Sequence, residues 1–241
     1  MLSAKSIYST DEENLKDIAR TTFDSPNPTQ EQLKRREKFT KVISSLKLPI
    51  LESLPVIEDA KTIKERTTEE ISKRAIAIAL TSYKGEGISH QEVLGLIKTW
   101  DVMDYFTTDE LQFINNPNPT NHEKIKFAWR YEGLDILLWA LGYKNTLPNP
   151  NKICDVKTDL NIIAKYKTSH LLEKNSHKRD INEVLDMADY YYRLHWAAIE
   201  LRLNDKTNKN INEEIIMERH YALNWLIRYM NQNWDNITTD T

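Results

Sequence analysis

The chain has very little cysteine and glycine: one cysteine, Cys154, and five glycines among 241 residues. A single cysteine excludes an internal disulfide and is typical of a reducing compartment, so we expect a cytoplasmic protein. Scarce glycine disfavours a turn-rich all-β fold. The longest apolar run, 136–141, is too short to cross a bilayer, and the first ten residues lack the apolar stretch of a signal peptide.

The chain also lacks an excess of charge of one sign. Its net charge is −3, with 29% charged and 40% apolar residues, and acids and bases alternate along it. This composition is typical of a soluble globular protein and gives no basic patch for nucleic acid or an anionic membrane. Standard phosphate-loop, nucleophile-elbow and zinc motifs are missing as well. We therefore expect no cofactor and no metal.

Helix signals are abundant. Four capping boxes, at Thr67/Glu70, Ser89/Glu92, Thr107/Glu110 and Thr120/Glu123, each precede an apolar pattern of helical period. We predict a mostly α fold, a single bundle of about eight to ten helices. The expected helices cover 12–20, a segment after Pro28, 69–84, 90–99, 108–115, 121–141, 159–168, 181–203 and 213–231.

The predicted organisation is one α-helical domain at 36–241, preceded by an arm or extra helical layer at 1–35. Residues 47–60 hold two prolines and are expected to cross the surface as an extended segment. The end of the chain, 234–241, is predicted to be an ordered, extended tail.

Charged residues inside three very apolar helices are the main functional signal. In 121–141, Arg130 and Glu132 are two positions apart, so they point about 200° apart and cannot serve one pocket. Glu132 and Asp135 share a face, where two carboxylates need a facing cation. In 213–231, Arg219 lies on the most apolar face and Glu218 flanks it.

The other charges on these helices divide into stripes. In 181–203, Asp186, Asp189, Arg193 and Glu200 follow one stripe, which we expect to face solvent, whereas His195 and Arg202 follow an apolar, tyrosine-rich stripe. In 213–231, His220 lies on a more polar stripe with Asn224, Arg228 and Asn231, and that stripe can face water.

Residues on the three helices could converge into one polar cluster, and two interpretations are open. One is an ion-pair network that fixes helix register inside the bundle. The other is a cleft for a small polar or anionic ligand, in which arginines hold the anion and a histidine exchanges protons with a carboxylate. The catalytic candidates are His195, Glu132 and Glu218, and the ligand-binding candidates are Arg219, Arg202, Arg130, Asp135, Tyr131, Tyr191 and His220.

Several stretches resemble the mostly bacterial domain-of-unknown-function family numbered 4272, from about Arg36 to the C-terminus. They include Leu54-Pro55-Val56-Ile57-Glu58, Trp129-Arg130-Tyr131-Glu132, Ile153-Cys154-Asp155-Val156, Tyr192-Arg193-Leu194-His195-Trp196-Ala197 and Glu218-Arg219-His220-Tyr221-Ala222-Leu223-Asn224-Trp225-Leu226. The resemblance implies no activity and lends no catalytic residues. It does imply that the C-terminal tail belongs to the domain.

We expect a non-catalytic binding or interaction protein, of an immunity or accessory type, that recognises a partner protein or a small polar ligand. The expectation rests on the missing catalytic motifs. The alternative is a metal-independent hydrolase or lyase acting on an anionic small substrate. There, Arg219 and Arg202 would bind charge, His195 would act as acid or base, and Glu132 or Glu218 would orient it. The oligomeric state stays open.

Overall fold

A computed structural model describes residues 27–241, and within them the regular structure is helical, with no strand. The mostly α fold is thereby confirmed. The helices are α1 Gln30–Ser45, α2 Thr68–Gly85, α3 His90–Trp100, α4 Thr108–Asn115, α5 Asn121–Trp129, α6 Tyr131–Ala140, α7 Val156–Tyr166, α8 Ser169–Lys174, α9 Ile181–Leu203 and α10 Glu213–Leu226. None of these helices is both long and apolar enough to span a membrane.

Capping explains where several helices begin. Thr67, Thr107 and Thr120 each form the full reciprocal capping box with the glutamate three residues later. Ser89 caps α3 in one direction only, by accepting from the backbone N–H of Glu92. Each bond satisfies an N–H that the first helical turn leaves without a partner.

The single helix predicted over 121–141 is instead two helices. Arg130 lies between them with a ψ of −11°, and its N–H turns back to the carbonyl of Phe127, three residues earlier, at 3.2 Å. Such a tight turn changes the direction of the chain between the end of α5 and the start of α6. The helix predicted over 213–231 also ends early, at Leu226, because Arg228 and Met230 have positive φ angles of 53° and 49°.

The core surrounds two central helices. α6 is buried at every position and α2 without interruption over residues 74–82, because residues 136–140 of α6 and 75–80 of α2 are apolar on all sides. α2 packs against α5, α6 and α8, α6 packs against α10, α10 against α9, and α9 against α1. At Gly85, α2 approaches α5 so closely that an added Cβ would lie 2.8 Å from backbone atoms of Lys124 and Ala128.

Two non-helical segments are held against this bundle. The crossing segment after α1 is bonded at Ile57, whose carbonyl accepts from Gln32 Nε2 at 2.7 Å. The tail makes one 3-10 turn at Trp234–Asn236 and continues extended. Trp234 is buried, its carbonyl accepts from the hydroxyl of Tyr221, and the carbonyl of Thr238 accepts from Asn224 Nδ2 at 2.9 Å. The ordered tail predicted from the sequence is present.

The predicted N-terminal arm is only partly described. The expected boundary between residues 35 and 36 lies inside α1, which packs on α9. The helix expected over 12–20 lies outside the described residues.

Candidate functional site

The centre of the predicted cluster is an ion pair between α10 and α6. Arg219 Nε and Nη2 lie 2.9 and 2.8 Å from Glu132 Oε2. The Arg219 side chain has no exposed surface, and Glu132 has almost none. Burial raises the pKa of the Glu132 carboxyl, and the charge of Arg219 opposes that shift. Each charge is therefore buried with its counter-charge in direct contact.

The remaining donors of Arg219 bind neutral oxygens. Nη1 donates to the carbonyl of Pro148 and to the hydroxyl of Tyr191, both at 2.8 Å, and Nη2 donates to the carbonyl of Lys152 at 2.9 Å. A guanidinium has five N–H groups, and these contacts engage all of them. Arg219 thus has no donor left for a ligand.

The second carboxylate oxygen of Glu132 is also engaged in a hydrogen bond. Oε1 accepts the backbone N–H of Cys154 at 2.8 Å. The Arg219–Glu132 pair therefore holds residues 148–154, the segment that leads into α7, through three backbone groups. The thiol of Cys154, at the end of that segment, is buried, and its burial, together with the charge of Glu132, raises its pKa, so it stays protonated.

A second ion pair joins the same helices on another side. Arg130 Nη1 lies 3.0 Å from Glu218 Oε2, and its guanidinium stacks 3.9 Å from the ring centre of Tyr221. Arg130 and Glu132 thus contact different partners, as their angular separation requires. Tyr131, between them in sequence, donates its hydroxyl to Glu86 Oε2 at 2.9 Å and contributes to neither pair.

Asp135 belongs to a third cluster, on the α7 side of α6. Lys144 contacts Asp135 Oδ1 and lies 2.7 Å from Asp159 Oδ1, and both aspartates are fully buried. The Oδ2 atoms of the two aspartates have no hydrogen-bond partner. Burial and the charge of Asp135 raise the pKa of Asp159 to about 7. One ammonium between two buried carboxylates favours keeping one proton on the pair.

The sequence-based reasoning missed Lys144 and Asp159. The sequence predicted a cation opposite Glu132 and Asp135, but it placed that cation on one of the long helices. The sequence signal for this contact was the glycine at position 142, because glycine tolerates the positive φ of a tight turn. In the structure Gly142 has a φ of +81°, and the turn after α6 returns Lys144 toward Asp135. The carbonyl of Lys144 is then fixed by Arg179 Nη2 at 2.7 Å.

The two histidines contact each other. His195 Nδ1 and His220 Nδ1 are 3.1 Å apart, and both rings are buried. The expectation that His220 faces water is wrong, because α9 packs along that side of α10. Burial lowers the pKa of His195 to about 4, and burial and His195 hold the pKa of His220 well below 6.5. Both rings are neutral, and one donates to the other.

The expectation that the charged stripe of α9 faces solvent is wrong for Asp189 and Arg193, whereas Asp186 and Glu200 are partly exposed. Asp189 and Arg193 are buried and paired at 2.8 Å, because α1 packs on α9, and Arg193 Nη2 also donates to the carbonyl of Pro55 in the crossing segment. Arg202 differs from the other candidates. It lies at the end of α9, is about one-third exposed, and binds Glu213 at 2.8 Å.

A family described as a domain of unknown function, DUF4272, matches residues 35–237. The chain belongs to the DUF4272 family. No curated protein and no solved structure matches it.

The geometry of this DUF4272 chain divides the candidate residues among separate contacts. Arg219, Glu132 and Tyr191 form one cluster, Arg130 and Glu218 a second, Asp135 a third, and His195 and His220 a fourth. Arg202 binds Glu213, and Tyr131 binds Glu86. Among residues 27–241, no three metal-binding side chains gather as a metal site would require. The contacts that do form tie helices and loops together.

Proposed function

We propose that this protein is a non-catalytic binding protein that recognises a partner protein on its outer surface, and that its buried charges serve the structure. The observation that carries the proposal is Arg219, the best anion-binding candidate in the sequence. All of its donors are engaged by Glu132, Tyr191 and two backbone carbonyls. Binding a substrate anion there would require breaking several buried hydrogen bonds.

The enzyme alternative depends on His195 exchanging protons with a substrate. His195 is buried, faces His220, and has a pKa near 4. A general base acts best with a pKa near the working pH and with its nitrogen within reach of the substrate. These features favour a binding role. The free, buried Cys154 fits a reducing cytoplasm, where the proposal places the protein.

Chemical cross-linking in the cells that produce the protein tests the proposal. Wild type and Arg202→Gln are compared, because Arg202 is the most accessible of the charged candidates and its loss disables the enzyme alternative. A binding protein is expected to recover the same partner, in near-equal molar amount, with both chains. Equal thermal midpoints of the two chains provide the folding control.

The contrary result is also specific. Calorimetric titration with small anions, inorganic phosphate and a dicarboxylate among them, would detect a ligand cleft. Saturable binding by wild type that Arg202→Gln loses, with no protein partner recovered, would reject the proposal in favour of the enzyme alternative.

A further inference from the structure

Ile153 is exposed in an unusual setting. Its side chain is 68% exposed, yet the peptide groups on both sides of it are bonded to buried charges. The carbonyl of Lys152 accepts from Arg219, and the N–H of Cys154 donates to Glu132. An exposed loop is normally among the more mobile parts of a protein. Here buried side chains hold the backbone on each side of an exposed isoleucine through hydrogen bonds.

A second loop lies beside the first. Asn151 Nδ2 donates to the carbonyl of Lys209 at 2.9 Å, and the N–H of Asn212 donates to the carbonyl of Pro150 at 3.0 Å. These bonds join residues 149–153 to residues 206–212. We call these two segments together the loop surface. They meet at the start of α10, the helix that supplies Arg219.

The loop surface is basic although the whole chain is acidic. It contains three exposed lysines, Lys152, Lys206 and Lys209, and no acidic residue, whereas the chain has a net charge of −3. The neighbouring acids Asp155 and Asp205 lie outside it. The carboxylate of Asp155 lies at the start of α7, where it caps the helix by accepting from the N–H and hydroxyl of Thr158.

These features match the requirements of a docking site. A buried ion pair contributes little net stability, so a pair that immobilises an exposed loop has its main effect on that loop. A loop fixed before binding loses little conformational entropy when a partner binds. Isoleucine adds a stiff apolar group with few rotamers, and the lysines favour an opposite charge.

We propose that the loop surface docks an acidic segment of a partner protein, with an apolar side chain of that segment covering Ile153. This inference rests on the proposed function and specifies where the partner binds and what chemistry it presents. The exposed lysines contribute through charge complementarity and long-range attraction, which salt weakens.

A random peptide library displayed on phage, selected on the full chain, provides the probe. We expect the selected peptides to be acidic and to carry a large apolar residue. Ile153→Asp is expected to weaken their binding at least about tenfold, and Lys152→Glu or Lys209→Glu severalfold. The matched controls are Leu171→Asp and Lys174→Glu, which alter an exposed leucine and an exposed lysine on α8 and are expected to leave binding unchanged.

Five results would overturn the inference. Neutral or basic selected peptides would refute its chemistry, and acidic peptides insensitive to Ile153→Asp would refute its location while leaving a binding role intact. Two others would name a different occupant. These are Ile153-dependent sedimentation with phosphatidylcholine–phosphatidylserine vesicles, or an Ile153-dependent dimer in light scattering. Failure to select any peptide rejects the inference, whereas the cross-linking comparison decides the proposed function separately.

Discussion

The guanidinium of Arg219 lies 2.8 Å from Glu132 Oε2, and together these two residues hold the backbone on both sides of Ile153. The pair therefore joins the middle of the bundle to a point on its surface. Its energetic role can be measured by removing one partner at a time.

Arg219→Met is expected to destabilise the fold strongly, because it leaves the Glu132 carboxylate buried without its cation. Breaking a buried ion pair costs about 3–5 kcal/mol. For a chain of this length, that corresponds to a fall of roughly 6–20 °C in the thermal unfolding midpoint. Differential scanning calorimetry checks it.

The control for Arg219 is Arg202→Met, which removes a partly exposed partner of Glu213. Exposed ion pairs contribute about 1 kcal/mol or less, so its midpoint should change little. Adding Glu132→Gln to Arg219→Met should cost less than the sum of the single changes, because both remove one interaction. Strict additivity would contradict the direct pairing.

Asp159 predicts a specific pH dependence of stability. Its pKa in the folded chain, about 7, lies above the ordinary value of 3.8, so the folded state binds the proton more tightly. The resulting stabilisation is complete below about pH 4 and is lost as the pH rises through 7. Relative to wild type, Asp159→Asn should therefore gain stability between pH 4 and 7, as measured by urea unfolding.

The comparison for Asp159 is Asp155→Asn. Hydrogen bonds from Thr158 lower the pKa of Asp155, so its contribution is present above its ordinary pKa of 3.8 and is lost only in more acidic solution. Its stability difference from wild type should be flat from pH 5 to 8. If the Asp159→Asn difference were equally flat, the raised pKa would be disproved.

The histidine pair should stay neutral in weakly acidic solution. The folded pKa of His195, near 4, lies below the ordinary 6.5, so the pair's contribution to stability is intact above pH 6.5 and is lost as the pH falls toward 4. Nitrogen-15 NMR of the imidazoles should show neutral rings at pH 5.5 for His195 and His220, with exposed His122 as the internal reference. Protonation of either buried ring near pH 6.5 would refute the packing.

Two glycines should respond to alanine with opposite signs. At Gly85 the new Cβ would lie 2.8 Å from the α5 backbone, and such overpacking costs about 1–3 kcal/mol. At Gly95, in α3, no neighbouring atom lies within 4 Å, so alanine should stabilise the helix by about 0.5–1 kcal/mol. Chemical unfolding of the two variants measures both effects, and equal signs would contradict the close contact of α2 with α5.

Much of the fold could be predicted from local signals. Helix starts follow from the capping boxes at Thr67, Thr107 and Thr120, because a cap depends only on residues a few positions apart. The burial of Arg219 could likewise be read from the apolar face around it. The break at Arg130 could not, because the residues around it favour helix on both sides and tertiary packing sets the bend.

The partners of the charged residues were harder to predict, since they come from distant parts of the chain. Asp189 and Arg193 form a typical surface pair by spacing, yet they are buried, because α1 packs on α9 and Arg193 also binds the carbonyl of Pro55 in the crossing segment. Lys144 and Asp159 reach Asp135 through the turn at Gly142 and the start of α7. Helical periodicity carries no information about which loop returns to which helix.

The rate at which Cys154 reacts with a thiol reagent reports how often the segment held by the ion pair opens. Cys154 is the single thiol of the chain and is buried at the end of the segment that Arg219 and Glu132 hold in place. A thiol reagent reaches it only when that segment unfolds locally. The labelling rate therefore measures the frequency of this local opening, on a timescale of seconds to hours, while the rest of the protein stays folded.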